Sequence, residues 1–110
     1  MQDAESLIQQ PARLRIMAAL AALPVGEQMT FGDLRELVPL TAGNMSSHLS
    51  MLERAGYVSV DKGYDGKRPR TWIWATSQGR GAFAGVIDEL EQIIANVRNG
   101  KTTGASPAAD

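Results

Sequence analysis

The apolar residues of this chain fall into helical spacing, then into strict alternation, then into helical spacing again. Asp3–Ile8 suits a short leading helix. Pro11 suits the first position of the next, where its missing N–H costs nothing. That second helix is expected to run to Leu23 and to stop before Pro24. Its last stretch, Ile16-Met17-Ala18-Ala19-Leu20-Ala21-Ala22-Leu23, is apolar all round. Such a helix is buried on more than one side; one side is expected to face its own core and the other a partner subunit.

Two helix starts then follow with the same grammar. Thr30 is a cap with Asp33 three residues on, and Met29 can staple against Leu34. This helix is predicted to last until Val38, where Pro39 stops it. Thr41 is the second cap, with Asn44 three residues on and Leu40 placed to staple against Met45. A turn of three or four residues separates the two, as in a helix-turn-helix. The second helix is predicted over Ala42–Ala55, with Gly56 as a left-handed stop. Met45, Leu49 and Leu52 mark its inner face. Gly43, Asn44, Ser47, Ser50 and Arg54 lie largely on the other side, which is short and polar.

Alternation begins at Tyr57. Val58 and Val60 share one face of Tyr57–Lys62, and in Thr71–Ala75 Ile73 and Ala75 oppose Trp72 and Trp74. These are two strands of a hairpin, with Gly63–Pro69 read as the connecting loop. A last helix, capped by Thr76 or Ser77, carries Phe83, Val86, Ile87, Leu90, Ile93, Ile94 and Val97 at threes and fours and ends near Asn99-Gly100. A very short strand near Gln28–Met29 can close onto the hairpin. Residues 101–110 are small and polar and read as a disordered tail. The predicted class is α+β: a winged helix-turn-helix over residues 1–100, mostly helical, with a β-hairpin wing and a C-terminal dimerisation helix.

A chain of 110 residues holds one domain. The net charge of −1 argues against a nucleic-acid partner until its distribution is seen. Lys62, Lys67, Arg68 and Arg70 sit in residues 62–70 against one acid, Asp65, while Asp88, Glu89 and Glu91 crowd the last helix. A local basic patch matters more to phosphate binding than the total. The chain has no cysteine and one histidine, His48, so neither a metal site nor a cofactor is expected. No nucleophile or carboxylate pattern accompanies His48, and no phosphate loop is present, so an enzyme is not expected. No apolar run approaches the about 20 residues of a membrane span. The start Gln2-Asp3-Ala4-Glu5 is acidic, unlike a secretion signal; the expected location is the cytoplasm.

Within this layout Thr41, Gly43, Asn44, Ser46, Ser47, His48, Ser50 and Arg54 are the candidates for DNA contact from the second helix of the pair. Asn pairs bidentately with adenine, and Ser serves either base type. His48 either touches a phosphate or sits half-buried and holds the helix pair together. Arg54 either reaches the DNA backbone or pairs with a nearby acid. Lys62, Lys67, Arg68 and Arg70 suit phosphates or a narrow minor groove; the alternative is a solvated charged hairpin. A final helix of about 20 residues is about 30 Å long, more than so small a body covers. The expected dimer surface is therefore Leu7, Ile16, Leu20, Phe83, Val86, Ile87, Leu90, Ile94 and Val97. Trp72 and Trp74 suit packing or a ligand pocket, and Gly85 is a candidate for close helix approach. The competing class is a winged-helix module for protein–protein contact.

Pro11-Ala12-Arg13-Leu14-Arg15-Ile16 resembles the first-helix signature of ArsR- and MarR-type transcriptional regulators. Ser46 through Val58 is similar to their recognition helix and first wing strand. Gly66-Lys67-Arg68-Pro69-Arg70-Thr71-Trp72, with Thr76, Gly79 and Arg80, resembles the wing and last-helix entry of a compact MarR-like subgroup. The resemblance spans residues 8–95. It implies a homodimeric, sequence-specific regulator bound to double-stranded DNA, often responsive to a small-molecule effector. Pro39 stands where the family's turn usually has glycine, and Ala75 where it usually has leucine. The ligands of the metal-sensing ArsR proteins are missing, so metal sensing is not implied.

Overall fold

A computed structural model describes residues 4–100. Among these the chain runs α1 (Ala4–Gln9), α2 (Pro11–Ala21), β1 (Met29–Thr30), α3 (Phe31–Leu37), α4 (Ala42–Arg54), β2 (Val58–Asp65), β3 (Arg68–Ala75) and α5 (Ser77–Arg98). The expected tail, residues 101–110, lies outside the described residues, as does Asp3.

Threonine hydroxyls start three of the helices. Thr30 accepts from the Asp33 N–H (3.1 Å), Thr41 from Asn44 (3.1 Å) and Thr76 from Gly79 (2.9 Å). Each satisfies one of the amides that a helix start leaves unpaired. Pro39 ends α3 through the residue before it. Val38 is extended (φ −124°, ψ 93°), as a residue preceding proline prefers. Residues 38–41 then form the turn, and the Arg35 Nε–H donates to the Leu40 carbonyl (3.1 Å) to close it. Gly56 ends α4 at φ +86°.

The sheet is antiparallel, in the order β1-β3-β2. Met29 pairs with Ile73, and the β2–β3 register runs from Val58↔Ala75 to Asp65↔Arg68. The short closing strand is therefore present, one residue later than expected. The wing differs more. Residues 63–69 are not a loop: the strands continue to Asp65 and Arg68, leaving Gly66-Lys67 as the turn. Gly66 has φ +67°, which both tight hairpin turn types require at that position. Pro69 is tolerated on β3 because bonded and non-bonded pairs alternate along the ladder. The pair flanking the turn is bonded, so Pro69, opposite Tyr64, needs no N–H toward β2.

Helices and sheet share one core. Ile8, Ile16, Met17, Leu20, Leu34, Met45, Leu52, Val58, Ile73 and Val86 are its fully buried side chains. Met45, Leu49 and Leu52 point inward from α4 as the spacing predicted. Two expectations need correction here. Leu7, Ile16, Leu20 and Val86 are buried within the single chain, because α1, α2 and α5 pack on one another; their side chains are core, not free interface surface. The close approach lies at Gly79, not Gly85. A Cβ at Gly79 would overlap the Tyr57 carbonyl, whereas one at Gly85 meets nothing within 4 Å. The reason is the corner between wing and α5. There the Thr76 hydroxyl donates to the Gly56 carbonyl (2.6 Å) and its N–H to Tyr57 (3.1 Å), drawing the start of α5 onto the base of β2.

Helix α2 stops at Ala21, two residues before the expected end. Arg80 of α5 accounts for the exit. Its guanidinium donates to the carbonyls of Ala21 (3.2 Å) and Leu23 (2.9 Å), groups that a helix end leaves unpaired. Among the described residues no helix is long and apolar enough to cross a membrane.

Candidate nucleic-acid interface

The outer surface of α4 is short, polar and open. Gly43, Asn44, Ser46, Ser47, Ser50 and Arg54 are all exposed, as is the capping Thr41. Arg54 has no acid partner among the described residues. The helix has two flanks beside this face. On one, Ser46, Ser50 and Glu53 border a concavity of about 290 Å³ shared with Phe31, Val60 and Lys62. On the other lie Asn44, His48 and Met51, toward α2.

The wing stands beside α4. Strand alternation gives it two faces. Lys62 and Tyr64 share the face of Val58, Val60 and Ile73, which turns toward α3 and α4. Arg68, Arg70 and Asp65 share the opposite face with Trp72. Lys62, Lys67 and Arg68 are exposed. Arg70 is not free: its Nε lies 3.6 Å from Asp65 Oδ2, an ion pair just beyond hydrogen-bond length. So exposed a pair contributes less than about 1 kcal/mol. Its larger effect is to lay the guanidinium along the wing. Lys62, Arg68 and Arg70 border a second concavity of about 550 Å³ between the wing and the start of α3. The wing thus carries Lys62 on the face toward α4 and Arg68 and Arg70 on the other, with Lys67 at the turn.

His48 is half-buried, and its Nδ1 lies 3.2 Å from the NH1 of Arg13. This contact supports the reading in which His48 sits half-buried and ties α4 to α2. Burial and then the Arg13 charge lower its pKa from the ordinary 6.5.

Sequence reasoning missed Arg13, Tyr64 and Arg80. Arg13 carried a signal: it precedes Ile16, Met17 and Leu20 by three, four and seven, on the stripe that faces inward. Tyr64, 71% exposed on the wing, continues the alternation of Val58, Val60 and Lys62 beyond the point where the strand was expected to end. Arg80 stood out only as part of the last-helix entry, and its role was hidden because the carbonyls it serves lie 57 and 59 residues away.

A three-helix body, a small antiparallel sheet and a cationic hairpin beside a capped, small-residue helix define a winged-helix DNA-binding protein. The chain belongs to the winged helix DNA-binding domain family, whose pattern matches residues 12–94. It is 38% identical over 85 residues to an uncharacterised protein of Methanocaldococcus jannaschii, covering 77% of this chain and 89% of that one. Its fold is similar to that of a transcriptional regulator homologue from Pyrococcus horikoshii OT3, with a TM-score of 0.75 and 29% identity, over 84% of this chain and 88% of that one. A MarR-like transcription regulator from Bacillus cereus shares the fold at a TM-score of 0.65 and 19% identity, over 92% of this chain and 72% of that one. The expected winged-helix fold is borne out, with a long C-terminal helix, and it is the fold that this MarR-like regulator also has.

Proposed function

We propose that the chain is a cytoplasmic transcriptional regulator that binds specific double-stranded DNA as a homodimer. Helix α4 enters the major groove and the wing tracks the backbone or the adjacent minor groove. One observation carries this reading: the exposed small polar face of α4 adjoins the wing, where Ser46 and Ser50 share a concavity with Lys62. Asn44, Ser47 and Ser50 offer donors and acceptors short enough for close approach to base edges. Lys62, Lys67, Arg68 and Arg70 supply the phosphate contacts that position them.

The dimer rests on α5. At 22 residues it is about 33 Å long, and its apolar stripe outruns the core. Phe83, Ile87 and Leu90 are half-buried, while Ile93, Ile94 and Val97 are exposed, Val97 by 68%. A second copy that covers this stripe removes apolar surface from water at about 25 cal/mol per Å². Response to a small molecule, which the MarR/ArsR resemblance implies, is a secondary part of the proposal. The concavity beside Ser46 and Ser50 opens on the DNA-facing side, so a ligand there competes with DNA.

The test is the salt dependence of binding to duplex DNA. With about three phosphates per subunit, the slope of log K against log salt is near −5. Arg68→Ala removes one contact per subunit, weakens binding to all sequences alike and flattens the slope by about 2. No binding to any duplex at low salt contradicts the proposal and favours a protein-contact module.

A further inference from the structure

Arg13 is the one buried charged residue of the described core, 6% exposed, and no carboxylate pairs with it among the described residues. A buried cation is costly unless its donors are met. Here its Nε–H donates to the Leu7 carbonyl (2.6 Å), in the last turn of α1. Its NH1 reaches across to α4, to His48 Nδ1 at 3.2 Å and Met51 Sδ at 3.3 Å. One side chain on α2 therefore joins α1 to the proposed recognition helix.

The contact with His48 fixes chemistry as well as position. A guanidinium has donors only and stays charged. His48 Nδ1 must then be the acceptor, and a neutral imidazole with an acceptor Nδ1 carries its proton on Nε2. Nε2 has no bonded partner within the described chain, and it is absent from the buried unpaired atoms, so it opens to solvent. It does so from the flank of α4 that also holds Asn44, one turn earlier.

We propose that Arg13 is a positioning residue for DNA recognition: it locks His48 as the Nε2–H tautomer, an oriented neutral donor for a DNA phosphate, and ties the pose of α4 to α1 and α2. This rests on the reading of α4 as the DNA-facing helix. Burial of the ring, and then the Arg13 charge, lower the His48 pKa from its ordinary value, in the same direction as the acceptor role that the geometry gives Nδ1.

His48 is the only histidine, so nitrogen NMR of the uniformly labelled full chain reads it without ambiguity. The wild type is expected to show protonated Nε2 and unprotonated Nδ1 at neutral pH. A protonated Nδ1 overturns the inference without any DNA or any variant. Binding to a duplex enriched from a random pool is the second arm. His48→Phe, a ring with no N–H, is expected to weaken binding about tenfold or more per subunit, the worth of one hydrogen bond to a charged acceptor. His48→Gln, whose amide N–H takes the place of Nε2–H, is expected to restore most of it. Arg13→Met keeps the aliphatic stem and is expected to shift the tautomer and weaken binding, with losses that do not add to those of His48→Phe. His48→Phe that binds as the wild type overturns this inference alone; a wild type that binds no duplex overturns the DNA reading itself.

Discussion

Replacing Gly79 by alanine tests the corner on which the wing and α5 meet. The added Cβ overlaps the Tyr57 carbonyl oxygen and falls 2.7 Å from its carbon, where ordinary contact begins at 3.4 Å. The two elements must part by at least about 0.7 Å, the difference of those distances. The obstacle is backbone, fixed by the Thr76 bonds to Gly56 and Tyr57, so no side chain can turn aside. Overpacking of a tight site costs about 1–3 kcal/mol, and the upper end applies when backbone must move. A loss of about 3 kcal/mol lowers Tm by about 12–24 °C in a domain of this size. Gly85→Ala is the control on the same helix. Nothing lies within 4 Å of its Cβ, and alanine is favoured in a helix interior by about 0.8–1 kcal/mol, so Tm should rise by about 4–8 °C. Thermal unfolding followed by circular dichroism reads both. Equal shifts of the same sign in the two variants would refute the packing argument.

Three further outcomes are expected. Ile94→Asp and Val97→Asp alter side chains that the single chain leaves exposed, so they should yield folded monomers in analytical ultracentrifugation; dimers with wild-type affinity would remove α5 from the interface. Asn44→Ala should cost roughly 1–3 kcal/mol on the preferred site if its contact is bidentate, and much less on unrelated DNA; equal losses on both would mean that Asn44 positions without reading. His48 has a lowered pKa in the fold, so below its ordinary value the unfolded chain binds the extra proton. The stability it contributes is present above pH 6.5 and is lost as pH falls through the depressed folded value. His48→Gln should flatten the fall in Tm between about pH 7 and about pH 5.5, where His is the side chain that ordinarily titrates; an unchanged profile would contradict the lowered pKa of the half-buried ring.

The local signals were legible because each acts within a few residues. Thr30, Thr41 and Thr76 bond amides three positions on, Pro39 acts on Val38, and Gly56 takes the left-handed turn its place in the pattern called for. The two periods of apolar spacing then gave the order of elements and the inward face of α4. What failed depended on contacts distant in sequence. Gly63 and Pro69 suggested a loop, but pairing across the hairpin extends both strands past them. The apolar stripes of α2 and α5 could not show which positions a neighbouring helix already covers; Ile16, Leu20 and Val86 are covered and Val97 is not. Among the site residues, the exposed face of α4 and the wing cations follow from periodicity and charge. The Arg13–His48 contact joins positions 35 residues apart, and only the packing of α2 on α4 brings them together.

Selection of the full-length chain against a pool of random duplexes tests the central claim most directly. The account predicts enrichment of a near-palindrome whose half-sites lie about one helical turn, roughly 34 Å, apart. Substitution of Asn44 or Ser47 should change the bases enriched within each half-site, while Arg68→Ala should weaken recovery of all sequences alike. A pool that shows no sequence enrichment at any salt concentration would contradict it.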